Sequence, residues 1–215
     1  LFDRTSVQYD KESPKHRDTL KKLWAAVFNS NSVDEISSIS DSEISFALVS
    51  EKWKEMGWQG DDPSRDLRGG GYLSLECLVT FAEERTELFH RLLTKSQQQQ
   101  AESDGNGNDI ATMNNSSYNY YPFCAAGVNL VHMLVEVLYL RCGETSRVAS
   151  TLAGRGFLER LRREDDALEQ MFVEAFIEVD KQWELHGMEY MMFPMVLKKV
   201  KEEVIKRMEV EVRWQ

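Results

Sequence analysis

From Phe123 to Leu140 the chain is apolar almost without interruption, and this stretch limits the architecture more than any other feature. A segment of this kind either spans a bilayer or lies inside a protein core. Asn129, His132 and Glu136 decide between the two. They recur at intervals of three and four residues, which places them on one stripe of a helix. A glutamate in lipid is costly. The reading is therefore a helix over about 123–141, buried on all but one edge, at the centre of a protein without a transmembrane segment.

Around it, other stretches repeat apolar residues at helical spacing. Pro14 suits the first turn of a helix carrying Leu20, Leu23, Trp24, Val27 and Phe28. Residues 29–41 read as a polar loop. Ser40 or Asp41 caps a second helix that passes through Ile44, Ala47, Leu48 and Trp53 and stops at Gly57. Ser74 caps a third, bearing Leu75, Leu78, Val79 and Ala82, and Leu88 to Leu93 follow after a break or a continuation. A short helix is expected near 155–163. A strongly amphipathic one runs from Leu168 to Trp183, and a last one starts at Pro194. No window sustains period-two alternation, so strands are not expected. The predicted class is all-α, a single-domain, multi-helix bundle with orthogonal packing around the central apolar helix. Residues 1–12 read as an N-terminal extension and 13–212 as the domain. Residues 96–117, with Gln97 to Gln100 and many Asn, Ser and Gly, are expected to be a disordered insert loop.

With 42% hydrophobic residues in 215, the chain can bury a sizeable core. Its net charge of −10 argues against nucleic acid as a partner. The three cysteines, Cys77, Cys124 and Cys142, form no CxxC pair and lie in or beside apolar stretches. They read as reduced, buried thiols of a cytoplasmic protein. The four histidines are scattered, so no metal site is expected. No leader pattern opens the sequence, and its start at Leu1 reads as a piece of a longer protein.

One stretch departs from helical architecture: Trp53-Lys-Glu-Met-Gly57-Trp58-Gln59-Gly60-Asp61-Asp62-Pro63-Ser64-Arg65-Asp66-Leu67-Arg68-Gly69-Gly70-Gly71-Tyr72. Asp62-Pro63-Ser64-Arg65 suits a type I turn. The glycine run permits positive φ and close backbone approach. A linker of about fifteen residues between helices is long, and long loops are often functional. The glycines are not followed by Gly-Lys-Ser/Thr, so the loop is no nucleotide-binding P-loop, and no cofactor is expected.

This pattern resembles the signature of the ELMO domain. The matching positions are Trp53, Gly57, Trp58, Gln59, Asp62, Pro63, Asp66, Leu67, Arg68, Gly69 and Gly71, followed by Leu73, Leu75, Leu78 and Phe81. Their wording is most similar to that of land-plant members. The resemblance extends from about Tyr9 to Glu209. It implies a GTPase-activating protein acting on a small GTPase, of the Arf or Arf-like group or the Rac/Rop group, with Arg68 as its catalytic arginine. Trp58, Gln59, Asp62, Arg65, Asp66, Gly69, Gly70 and Gly71 would organise the loop or touch the partner. Arg65 departs from the family pattern, which more usually has a small or polar residue there. The protein would be cytoplasmic, reaching membranes peripherally through its GTPase.

The chemistry accounts for the residue type. Phosphoryl transfer builds negative charge on the γ-phosphoryl oxygens, and a guanidinium delivered in trans stabilises it with paired N–H donors, contributing about 10³- to 10⁵-fold in rate. Lysine lacks that planar fork. Two other readings of the loop remain open. Arg68 can be a structural partner of Asp62 or Asp66, and the chain can be an adaptor that binds a GTPase or its exchange factor without catalysis.

Overall fold

The computed structural model describes residues 1–28, 48–105, 120–141, 143, 145–186 and 189–213. Among them there are helices and 3-10 turns and no strand, so the all-α class holds. The second helix expected from Ser40 or Asp41 would start outside the described residues. Its expected continuation through Trp53 is interrupted. Ser50 is extended (φ −159°, ψ 141°) and its hydroxyl caps a separate 3-10 turn, Glu51–Met56.

Four elements precede the core helices among the described residues. Helix α1 is Phe2–Thr5 and α2 is Pro14–Phe28. The 3-10 turns Glu51–Met56 and Pro63–Arg68 follow. Helix α3, Gly71–Glu84, is buried nearly all round through Tyr72, Leu73, Leu75, Leu78, Val79 and Phe81. It starts at the glycine run, so Ser74 lies inside the helix and does not cap it. The Ser74 side chain is fully buried.

Helix α4, Thr86–Gly105, follows a break at Arg85. It continues as helix through residues 96–105, which the polar composition had suggested to be a loop. Gln ranks among the better helix formers, and tertiary bonds hold the segment. Lys95 Nζ pairs with Asp180 at 2.7 Å and Glu184 at 2.6 Å. Ser96 Oγ donates to the Tyr121 carbonyl at 2.8 Å, and Gln97 Nε2 to the Glu55 carbonyl at 3.0 Å. The rest of the expected insert, apart from the helical part, falls on residues 106–117, outside the described residues.

Helix α5, Phe123–Val137, is the apolar centre expected from the sequence. Asn129, His132 and Glu136 are its exposed stripe. It shares the centre with α3, against which it packs. Helices α6 (Thr145–Val148), α7 (Leu152–Arg163), α8 (Ala167–His186) and α9 (Phe193–Arg213) complete the bundle, with a 3-10 turn Tyr190–Met192 before the last. Phe81, Phe89, Phe123 and Phe176 from four helices meet with ring centroids 4.5–5.6 Å apart, an arrangement that adds edge and offset contacts to plain burial. Arg160 of α7 reaches Glu174 of α8 at 2.6 Å, and Arg207 of α9 reaches Glu178 of α8 at 2.8 Å, tying the last three helices together.

Residues 1–12, read as an extension, are packed on the helices. Arg4 bonds Glu76 of α3 at 3.2 Å and Glu169 of α8 at 2.8 Å. Among the described residues no helix is long and apolar enough to cross a membrane.

Candidate functional site

The unusual loop is built as two 3-10 turns laid over the ends of the two central helices. The first ends at Gly57, whose φ of 77° is left-handed. A Cβ there would lie 2.1 Å from the Phe123 amide nitrogen and 2.7 Å from the Pro122 carbonyl carbon. Only glycine permits both that φ and that approach. The Gly57 carbonyl in turn accepts from the Ala125 amide at 3.2 Å, satisfying one free donor in the first turn of α5. Beneath the turn, Trp24 and Trp53 pack at 4.6 Å, and Trp53 and Trp58 meet edge-on at 6.4 Å. Trp58 is buried, and its Nε1 has no hydrogen-bond partner among the described residues. Its contribution is therefore ring packing within the loop.

Asp62 caps the second turn, its Oδ1 accepting from the Ser64 amide at 3.0 Å, and Pro63 occupies the first position. In a 3-10 helix residues three apart eclipse one another, so Pro63–Arg68 presents rows with separate tasks. Ser64 and Leu67 share one, and Leu67 is fully buried. Pro63 and Asp66 share the second. Pro63 is buried, and Asp66 Oδ2 accepts from the Gln59 amide at 2.8 Å, which locks the two halves of the loop together. Arg65 and Arg68 form the third row, and both are exposed.

The Asp66 carboxyl is pushed above the usual range, chiefly by burial and then by Asp62, against the Gln59 hydrogen bond that favours its charged form. Neither arginine makes a hydrogen bond or ion pair through its side chain with another described residue. The structural pairing of Arg68 with Asp62 or Asp66 is absent: Asp66 turns to Gln59 and Asp62 to Ser64. The Gln59 side chain is exposed, so its amide N–H serves the loop while its carboxamide is available to a partner.

The three glycines differ in role. Gly69 is exposed, and a Cβ there would meet nothing closer than 3.9 Å. Gly70 lies so close to Ser74 that a Cβ would fall 1.9 Å from its Oγ. Gly71, with φ 67°, starts α3 where a Cβ would lie 2.7 Å from the Val7 carbonyl oxygen. That same carbonyl accepts from the Tyr72 amide at 2.9 Å. Tyr9, His16 and Tyr72 stack next to it, the last two at 3.9 Å. Burial, helped by Asp62, pushes the Tyr9 hydroxyl up to about 12. This buttress of residues 7–16 was not identified from the sequence. It joins segments far apart in the chain and leaves no local periodicity to read.

A groove of about 510 Å³, lined by Lys54, Trp58, Gln59, Gln100 and Tyr120, runs beside the loop, and neither arginine lines it. Burial raises the thiols of Cys77 and Cys124 well above their ordinary range, leaving no ready nucleophile in these two. Cys142 lies outside the described residues. No group of three or more His, Cys, Asp and Glu is placed to hold a metal among the described residues.

With this geometry in place, comparison with known proteins is decisive about kinship. The sequence profile of the ELMO/CED-12 family matches residues 1–197. The chain belongs to the ELMO/CED-12 family. It is similar to ELMO domain-containing protein C of Dictyostelium discoideum, 26% identical over 209 residues that cover 95% of this chain and 28% of that protein. ELMO domain-containing protein 2 of Homo sapiens is 29% identical over 130 residues, covering 60% of this chain and 34% of the relative. ELMO domain-containing protein 1 of Mus musculus is 34% identical over 88 residues, 41% of this chain and 23% of the relative. This ELMO chain thus spans about a third or less of the length of these curated relatives. No solved structure matches it.

Proposed function

We propose that this ELMO chain is a GTPase-activating protein that docks on a small GTPase of the Arf or Arf-like group, or of the Rac/Rop group, and delivers Arg68 to its γ-phosphate. The observation that carries this reading is the state of the Arg68 side chain. It is exposed at the end of a short turn and free of partners among the described residues. Its backbone is anchored by buried Pro63 and Leu67 and by the Asp66–Gln59 bond. A structural arginine is satisfied by its own protein, as Arg160 is by Glu174, Glu164 and Gln170. Arg68 is held ready and left unsatisfied.

Chemically, a guanidinium on a fixed turn needs little rearrangement when charge develops on the transferring phosphoryl group. The bare surface of Gly69 beside it leaves clearance for the partner. The GTPase supplies nucleotide, magnesium and the water-positioning residue, so the activator needs no cofactor. It works in the cytoplasm and meets membranes through its GTPase.

Single-turnover hydrolysis across a panel of Arf, Arf-like and Rac/Rop GTPases tests the proposal. The wild-type chain should accelerate at least one of them. Arg68→Ala and Arg68→Lys should lose most of that acceleration, about 10³-fold or more for a full finger, while keeping helical circular dichroism. Full stimulation by both variants would reject catalysis by Arg68. Binding without stimulation by the wild type would make the chain an adaptor.

A further inference from the structure

The second cation of the loop lies on the same edge as the first. Arg65 and Arg68 sit three residues apart in the 3-10 turn Pro63–Arg68. One turn of such a helix rises about 6 Å, with the two side chains eclipsed. Both are exposed, and neither is paired with a described residue. Two acids of the loop are engaged elsewhere, Asp62 on the Ser64 amide and Asp66 on the Gln59 amide. The chain as a whole carries −10, and Asp61, Asp62 and Asp66 lie in the same loop, so two unpaired guanidiniums side by side stand out on an otherwise acidic molecule.

We infer that Arg65 is a docking residue that pairs with a carboxylate on the surface of the partner protein, setting affinity while Arg68 sets turnover. This rests on the reading of Arg68 given above. Any body that covers Arg68 closely enough to bring a γ-phosphate to it also covers a side chain rooted about 6 Å away on the same row. A guanidinium buried under an interface without an acceptor is heavily penalised. The γ-phosphate is engaged by Arg68, so the acceptor for Arg65 comes from the partner's own side chains. A carboxylate matches the guanidinium fork in a bidentate pair. Partners lacking an acid at that place are disfavoured by the same desolvation cost, so Arg65 also selects among GTPases.

The test separates affinity from turnover. Arg65→Ala, Arg65→Glu and Arg65→Lys are compared with wild type and Arg68→Ala on the GTPase that the wild type stimulates or binds best. Two quantities are measured: the activator concentration giving half-maximal single-turnover hydrolysis, and the Kd for the GTPase loaded with a non-hydrolysable GTP analogue, each at low and high salt. Arg65→Ala should raise both by about tenfold, Arg65→Glu by more, and Arg65→Lys by less. The salt dependence of binding should weaken, and the maximal rate should stay within about twofold. Arg68→Ala should instead lower the maximal rate. The exposed side chain has no hydrogen bond or ion pair with a described residue to lose, so thermal unfolding of the Arg65 variants should match the wild type. Unchanged Kd in both Arg65→Ala and Arg65→Glu would overturn the inference, as would a lowered maximal rate with unchanged Kd. If the Arg65 variants weaken binding while Arg68→Ala keeps full stimulation, the finger fails and the docking residue stands. A wild type that neither binds nor stimulates any GTPase of the panel overturns both.

Discussion

At position 57 the backbone is left-handed and lies against the first turn of α5, so the demand on the residue is both conformational and steric. Gly57→Ala forces a methyl into the Pro122–Phe123 backbone, and the domain should lose about 2–4 kcal/mol of stability in chemical denaturation. A loss well below that would mean the loop rests less firmly on α5 than its geometry indicates. At this scale the sequence was most informative. Pro63, Asp66, Leu67 and Arg68 lie within one local motif, and Asp62-Pro63-Ser64-Arg65 already suggested a turn there, though not which of its sides faces inward. The eclipsing of Arg65 with Arg68 was not legible, because it depends on the turn being 3-10. The Tyr9–His16–Tyr72 stack was hidden for another reason: it is a contact between separate segments.

Among the elements, α8 holds α9 through a nearly buried carboxylate. Burial pushes the Glu178 carboxyl up, but Gln182, Lys181 and Arg207 outweigh it and hold it below the ordinary range. A carboxyl lowered in the folded state adds stability above its unfolded pKa, and that contribution is lost as pH falls through the lower, folded value. Glu178→Gln should therefore cost about 1–3 kcal/mol near neutrality. The difference from wild type should shrink as pH drops below about 4. Urea denaturation at a series of pH values reads this directly, and a pH-independent difference would contradict it. Most helices were legible as apolar stripes at helical spacing, including the exposed stripe of α5. The sequence misled where composition and tertiary support disagree. Gln97 to Gln100 look like loop, yet α4 runs through them because Lys95, Ser96 and Gln97 are bonded to Asp180, Tyr121 and Glu55. The start of α3 was misplaced because Ser74 looks like a cap while Gly71 supplies the positive φ that turns the chain into the helix.

For the molecule as a whole, the first residues belong to the scaffold of the site. Arg4 joins α3 to α8, and the Val7 carbonyl holds the Tyr72 amide directly behind the glycine run. Removing residues 1–12 should lower the melting temperature by about 5 °C or more. It should also reduce stimulation of hydrolysis, since the turn bearing Arg68 loses its backing. An unchanged melting temperature would make these residues a true appendage. The central claim concerns an encounter between two whole molecules, in which a guanidinium meets charge that exists fully only in the transition state. The most direct measurement is the affinity of the chain for a GDP-loaded GTPase with and without aluminium fluoride, which mimics the transferring phosphoryl group. Wild type should bind far more tightly when the fluoride is present, and Arg68→Ala should bind equally with and without it. The same fluoride-dependent tightening in Arg68→Ala would contradict the account.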